Sequence, residues 1–202
     1  MQLSYEKPIA ISRRPWQRRI EVYSPKLKRR MTLFSWAAHD AWLLLEADPA
    51  VKGFCERPAY LEGEAGRLID FWVNRGRHAK FWVLAQAEPE KLTIPKSAHG
   101  FSVQVMRRAD LMSFERRIEN WAQIVPYRIS FARYPDGRLR KDIFDRLEKP
   151  HRLERLEASF HPLDVASVRA ALFELLASGK IIAPDIDSNP LGLTTVFRRS
   201  AK

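Results

Sequence analysis

Cysteine is almost absent from this 202-residue chain, and the single Cys55 excludes an internal disulfide framework. Five histidines, at positions 39, 78, 99, 151 and 161, show neither HExxH nor paired CxxC spacing, so no structural zinc site is expected. No run approaches the apolar length of a membrane span. The basic N-terminus, broken by Pro8 and Pro15, lacks the apolar core of a signal peptide, and the expected compartment is the cytoplasm. Acidic residues are also scarce: 24 Asp and Glu stand against 35 Lys and Arg, which leaves a net charge of +11 and a pI near 10.1. A hydrophobic content of 46% is still enough to build a real core, in one domain of good size or in a larger and a smaller one.

The stretch from Arg67 to Leu84 reads as the centre of the chain. Two apolar runs, Arg67 to Asn74 and His78 to Leu84, flank the polar turn Asn74-Arg75-Gly76-Arg77, and period-two alternation predicts a hairpin. Asp70 is the one carboxylate in it, among Phe71, Trp72, Phe81 and Trp82. Burying an acid there is costly unless something pairs with it: a metal ion, an arginine such as Arg67 or Arg75, or solvent at an open face. A catalytic and a structural reading divide at this residue.

The positive charge is concentrated near the start. Residues 1–30 carry Lys7, Arg13, Arg14, Arg18, Arg19, Lys26, Lys28, Arg29 and Arg30 against only Glu6 and Glu21. Residues 1–22 read as a basic arm suited to a phosphate backbone, with Trp16 and Tyr23 offering stacking surface. The DNA-binding candidates are Arg13, Arg14, Arg18, Arg19, Lys26, Lys28, Arg29 and Arg30. A solubilising tail is the plain alternative, and an anionic membrane surface lacks the amphipathic helix it would need.

Ser35 opens a stretch to Glu46 without Gly or Pro, a helix capped by Ser35 that stops at Asp48-Pro49, with Ala38, Ala41, Trp42 and Leu45 on its core face. Val51 to Tyr60 is then extended, and Gly63-Glu64-Ala65-Gly66 turns into the hairpin. In this order stand Ser24-x-Lys26-x-x-Arg29, Leu44-Leu45-Glu46-Ala47-Asp48-Pro49-Ala50-Val51, Arg57-Pro58 and Asp70-Phe71. The series resembles the endonuclease domain of TnsA-like transposon proteins. The resemblance implies an α/β fold, a restriction-endonuclease-like mixed sheet with flanking helices over residues 23–105. A helical and winged-helix C-terminal domain follows over 106–202.

The catalytic positions depart from the family pattern. Its two helix glutamates fall on Phe34 and Ala38, and its Q/E-x-K element falls within residues 81–85, which carry no polar side chain. Asp40, Glu46 and Lys80 lie nearby, but none takes over a missing direction. Nucleases of this fold hold Mg²⁺ on several acidic oxygens, and Asp70 alone does not supply them. The expectation is a nuclease fold that has lost cleavage, needs no cofactor and keeps Asp70 as a remnant. The alternative is an active Mg²⁺-dependent endonuclease with relocated ligands, Lys80 and Asp40 being the first candidates beside Asp70.

Further along, Phe101 to Val105 alternates as a strand, and Leu111, Phe114, Ile118, Trp121 and Ala122 space as one helical stripe that Pro126 is expected to end. Tyr134-Pro135-Asp136-Gly137 is a turn. Asp164 caps a helix with Val165, Val168, Leu172, Leu175 and Leu176 on one side, and Gly179 stops it. Residues 180–183 and 194–198 then flank a turn as a two-stranded wing. This half resembles the winged-helix half of the same family, with a protein-contact role as open as a DNA one and Arg198-Arg199 as a phosphate contact. What the resemblance implies is a DNA-binding subunit of a transposition machine, partnered by a DDE transposase and an AAA+ ATPase regulator. A basic nucleic-acid-binding protein unrelated to transposition is the competing reading.

Overall fold

The computed structural model of the chain describes residues 5–11, 18–62, 66–85, 94–133 and 136–201. They form a mixed α/β structure with a five-stranded mixed sheet and, among the described residues, six helices. The chain divides into two compact units, Met1–Leu45 with Ala50–Ser113, and Glu46–Pro49 with Phe114–Lys202. No helix among the described residues is long and apolar enough to cross a membrane.

The first unit begins with an antiparallel hairpin, β1 (Ile20–Ser24) and β2 (Arg29–Leu33). Its turn is fixed by Ser24, whose Oγ accepts from the Leu27 amide and whose carbonyl accepts from the Lys28 amide. Helix α1 (Trp36–Ala47) follows, with Ser35 Oγ accepting from the Ala38 amide at 3.0 Å as the expected N-cap. Strands β3 (Gly53–Glu56), β4 (Phe71–Asn74) and β5 (Ala79–Leu84) are successively antiparallel. Beyond them lie β6 (Ser97–Ala98), β7 (Phe101–Met106) and the short helix α2 (Arg108–Met112). The sheet order is β3-β4-β5-β7-β6, and β7 runs parallel to β5.

The central hairpin is present, with Phe71 opposite Trp82 and Trp72 opposite Phe81. Its turn depends on Gly76, at φ +81°, whose amide donates to Asn74 Oδ1. Two details differ from expectation. Strand β4 starts at Phe71, so Asp70 sits at its mouth, and the alternation does not mark a solvent face, since Phe71, Trp72 and Val73 are all buried. Cys55, Trp72, Phe81 and Phe101 share one cluster, while Phe54, itself against Phe71, lies on the opposite face.

The expected N-terminal arm is not free along its described length. Tyr5 packs against Trp72, Phe81 and Phe101 with ring centroids 5.5 to 6.1 Å apart, and the Ile9 amide donates to the Arg57 carbonyl. Residues 20–22, assigned to the arm, are in β1. The charge count masked the pattern here, because single apolar residues among cations were enough to attach the segment to the sheet.

The second unit contains α3 (Glu115–Arg133), α4 (Gly137–Arg146), β8 (His151–Arg152), α5 (Leu153–Ser159), α6 (Val165–Ala177), β9 (Ile181–Ile182) and β10 (Val196–Arg199). Three corrections apply to it. The stripe beginning at Leu111 is broken at Ser113-Phe114, so Phe114 and Ala122 are exposed and the buried face of α3 is Asn120, Trp121, Ile124, Val125 and Arg128. Pro126 lies inside α3 without ending it. Pro126 and Ala122 are both exposed, so the helical hydrogen bond that proline removes is lost on the solvent side of α3, where water can replace it. The pair β9–β10, expected as a two-stranded unit, gains a third strand, β8, in the order β8-β10-β9.

Helix α6 behaves as expected at both ends. Asp164 Oδ2 accepts from the Ser167 amide, and the Gly179 and Lys180 amides return to the Leu176 and Leu175 carbonyls. Gly179 has φ +73°, and a Cβ there would stand 2.9 Å from Pro49 Cβ. Arg128, buried in α3, donates to Glu46 Oε2 at 2.9 Å and to Glu174 Oε2 at 3.1 Å. Asn120, 1% exposed, donates to the Ile186 and Asn189 carbonyls and accepts from the Leu191 amide, which ties down the segment joining β9 to β10. Asn120→Ala leaves three backbone groups without this partner and should cost about 2–3 kcal/mol. Urea unfolding checks it, and a loss under about 0.5 kcal/mol would show that water replaces the side chain freely.

Candidate functional site

The cleft of interest lies in the first unit where the mouth of β4 meets the start of α1. It is lined by Phe34, Ser35, Ala38, Glu56, Arg57, Arg67, Asp70 and Phe71, with Ile11, Leu33 and Leu68 as apolar walls. Asp70 is positioned by its backbone, which accepts from the Arg57 amide at 2.9 Å and donates to the Trp82 carbonyl at 3.1 Å. Its Oδ2 accepts from the Leu84 amide at 2.7 Å, and Arg67 Nη2 donates to the Leu84 carbonyl at 3.0 Å. Asp70 and Arg67 thus hold the two polar groups of one β5 residue.

Glu56, at the end of β3, is a second carboxylate that sequence reasoning missed. The strand register puts it opposite Phe71, one residue from Asp70. It is 2% exposed, and Arg29 from β2 grips both its oxygens, Nη1 to Oε1 at 2.8 Å and Nη2 to Oε2 at 2.5 Å. That hydrogen bonding raises the Arg29 pKa above its ordinary value. Arg57 follows, at φ +48°, with its guanidinium 5.1 Å from the centroid of Phe34 and Nη1 donating to the Thr32 carbonyl. Burial lowers the Arg57 pKa.

Phe34 and Ala38, where the resemblance places acids, both line this cleft, as does Asp70. Lys80 and Asp40, the proposed replacements, do not. Lys80 stands on β5 opposite Val73 and Ser102, and Asp40 Oδ1 is 3.3 Å from His39 Nδ1. Leu84 on β5 is buried and apolar. Among the described residues no three His, Cys, Asp or Glu side chains come together in a group that could hold a metal ion. The donor set as arranged does not fit Mg²⁺, which takes near-octahedral oxygen ligands. Both Glu56 oxygens are held by Arg29, and one oxygen of Asp70 by a peptide.

The basic candidates separate. Arg13 and Arg14, with Trp16, lie outside the described residues. Arg18 and Arg19 are exposed, the first 5.2 Å from the Trp36 ring and the second paired with Glu21. Lys26 Nζ donates to the Leu45 carbonyl at 2.6 Å, near the end of α1. Lys28 and Arg30 are exposed on the hairpin, while Arg29 is turned to Glu56. Among the described candidates, Lys26 and Arg29 are thus engaged by acceptors of the protein itself, while Arg18, Arg19, Lys28 and Arg30 are exposed. No protein-family model matches the chain, and no curated protein matches it in sequence.

Removing Arg29 leaves a buried carboxylate without its partner, so Arg29→Ala should lower stability by about 3–5 kcal/mol, and Arg29→Met with Glu56→Gln by clearly less. Equal losses in urea unfolding would show that the pair contributes nothing through its charges. Cys55, buried beside Trp72, has its thiol pKa pushed up to about 11 by desolvation and then by Glu56. The raised value favours the protonated thiol in the folded state. Its contribution to stability is complete below the ordinary value of 9.0 and is lost as pH rises towards about 11. Native protein should resist thiol-reactive reagents at neutral pH, and Cys55→Ala should flatten the alkaline fall in stability. Rapid labelling of the native thiol would contradict its burial.

Proposed function

We propose that the chain is a DNA-binding, TnsA-like subunit of a transposition machinery whose nuclease-like domain does not cut. One observation carries this reading: the cleft that holds Asp70 also holds Phe34 and Ala38 in place of the expected acids, and its other carboxylate, Glu56, is neutralised by Arg29. The topology supports a restriction-endonuclease-like assignment. Helix α1 is followed by three antiparallel strands, β3 to β5, and then by β7 parallel to β5. The second unit supports a winged helix through the order α4, β8, α5, α6, β9, β10. Its α6 is not a basic reading helix: Arg169 is held by Glu157 and Glu174 by Arg128.

On this reading the chain binds DNA through exposed cations such as Arg18, Arg19, Lys28 and Arg30, together with Arg13 and Arg14. Cutting is left to a DDE transposase, with an AAA+ ATPase as regulator. A second reading is an active Mg²⁺-dependent endonuclease, favoured by Asp70 and Glu56 lining one cleft.

Supercoiled plasmid incubated with protein and Mg²⁺ or Mn²⁺ separates the two. The expected outcome is binding without nicking, in wild type and Asp70→Ala alike. Nicking that vanishes in both Asp70→Ala and Glu56→Gln would establish the endonuclease instead. Replacing Arg18, Arg19, Lys28 and Arg30 by Gln should weaken duplex binding and flatten its salt dependence, by about 1 in slope for each phosphate no longer neutralised. These substitutions are preferable to an N-terminal deletion, which would also remove Tyr5 from the sheet.

A further inference from the structure

A second concave surface lies wholly within the second unit and, where the Asp70 cleft mixes two acids with two arginines, is lined by cations. It is a groove of about 760 Å³ between α4, the end of α6 and the end of β10. Arg140, Lys141, Lys180 and Arg199 line it, no carboxylate among the described residues does, and Phe144 and Leu175 supply an apolar floor. Arg140 and Phe144 are one helical turn apart on α4, which puts a cation and an aromatic ring on the same stripe. Asp145, beside Phe144 in sequence, is exposed and is shared between Lys141 at 3.8 Å and Arg199 at 3.6 Å.

The four cations are of two kinds. Arg199 is fixed: its guanidinium lies 4.4 Å from the Phe144 ring centroid, with Nε donating to the Phe144 carbonyl and Nη2 to the Asp145 carbonyl. Those carbonyls belong to the last turn of α4, where a cation also meets the negative end of the helix dipole. Arg140 and Lys180 make no side-chain hydrogen bond or ion pair among the described residues. Lys180 is exposed directly after the Gly179 stop, so its position is set by the helix end while its ammonium remains available.

We propose that this groove binds the phosphodiester backbone of DNA. Four cations without a lining carboxylate form a local positive field that one monoanion does not balance, whereas successive phosphates do. A preorganised arginine flanked by the uncommitted heads of Arg140 and Lys180 suits a chain of phosphates, and the apolar floor accepts sugar faces. The net charge of +11 draws a polyanion towards the molecule as a whole, which favours nucleic acid over an acidic peptide. The proposal rests on the DNA-binding reading above and deepens it by placing a contact in the second unit.

The test uses the full chain, a short duplex oligonucleotide and the double variant Arg140→Gln with Lys180→Gln. Both side chains line the groove and bond to no other described residue, and unchanged thermal unfolding confirms folding; should the pair fail to fold, Lys180→Gln alone is read the same way. The expected result is roughly a tenfold or greater loss of affinity and a fall of about 2 in the slope of log affinity against log salt. The exposed pair Lys149→Gln with Arg155→Gln, outside the groove, should change affinity by less than the groove pair. Equal duplex binding by the wild type and the groove variant would overturn the groove and leave the DNA-binding reading standing. A wild type that binds no duplex DNA at low salt would overturn both. Loss of polyglutamate binding in the groove variant, with duplex binding intact, would also overturn the proposal and assign the groove to an acidic peptide.

Discussion

A carboxylate buried on a sheet must be matched by a cation, and Glu56 imposes that constraint on the first unit. At 2% exposure its charge would cost several kcal/mol to bury alone, so the bidentate grip of Arg29 is a condition of the fold. Arg29 reaches it from β2, which fixes the β1–β2 hairpin against the end of β3. Arg57, the next residue along, then continues the attachment through the Thr32 carbonyl and the Phe34 ring. The same guanidinium groups that hold these elements together also determine what the cleft can do. A carboxylate whose two oxygens are both engaged by an arginine is a poor ligand for a second cation, and Asp70 is partly engaged by the Leu84 amide.

The second unit meets the same problem with a different solution. Arg128 is buried between Glu46 and Glu174, so one guanidinium answers two carboxylates, and Trp121 lies 6.0 Å from it. Asn120, eight residues earlier on the same helix, satisfies three backbone groups without any charge. Together they explain why Glu46 and Pro49 of the Leu44-Leu45-Glu46-Ala47-Asp48-Pro49 stretch group with this unit: Glu46 binds Arg128, and Pro49 closes over Gly179. A motif that reads as an ordinary helix end is held by tertiary contacts at both of its distinctive residues.

What is legible in the sequence follows local rules. Ser35, Asp164 and Gly179 act within four residues of themselves, and Gly76 fixes the central turn by its own φ, so their roles can be read directly. The paired apolar runs indicate the hairpin, but not the burial of both its faces, because Tyr5 and the elements covering the other face are distant in sequence. Pro126 is deceptive because its cost depends on which way its face of α3 points, and here it points to solvent. Glu56 escapes notice because Phe54-Cys55-Glu56-Arg57-Pro58 reads as a strand running into a loop. Only the register with Phe71 brings it beside Asp70, and the only local signal is a charged residue ending an apolar strand. The groove on the second unit is illegible for the same reason: Arg140, Lys180 and Arg199 meet only when α4, α6 and β10 pack.

On the functional reading proposed above, the cleft is not a nuclease site short of two side chains. A glutamate introduced at position 34 would stand where the Arg57 guanidinium now meets an aromatic face, and the nearest cation would be that arginine. A lysine at position 84 would replace a side chain that is 1% exposed, placing an ammonium where burial disfavours its charge. Glu56 would still be held by Arg29, because releasing it removes the pair that attaches the hairpin. Each acid in the cleft therefore already has a positive or hydrogen-bonding partner built into the fold. Arg29 does structurally for Glu56 what a divalent cation does in a working metal site: it neutralises a carboxylate. Unlike a metal ion, a guanidinium has no coordination site at which a bound water could be polarised into a nucleophile.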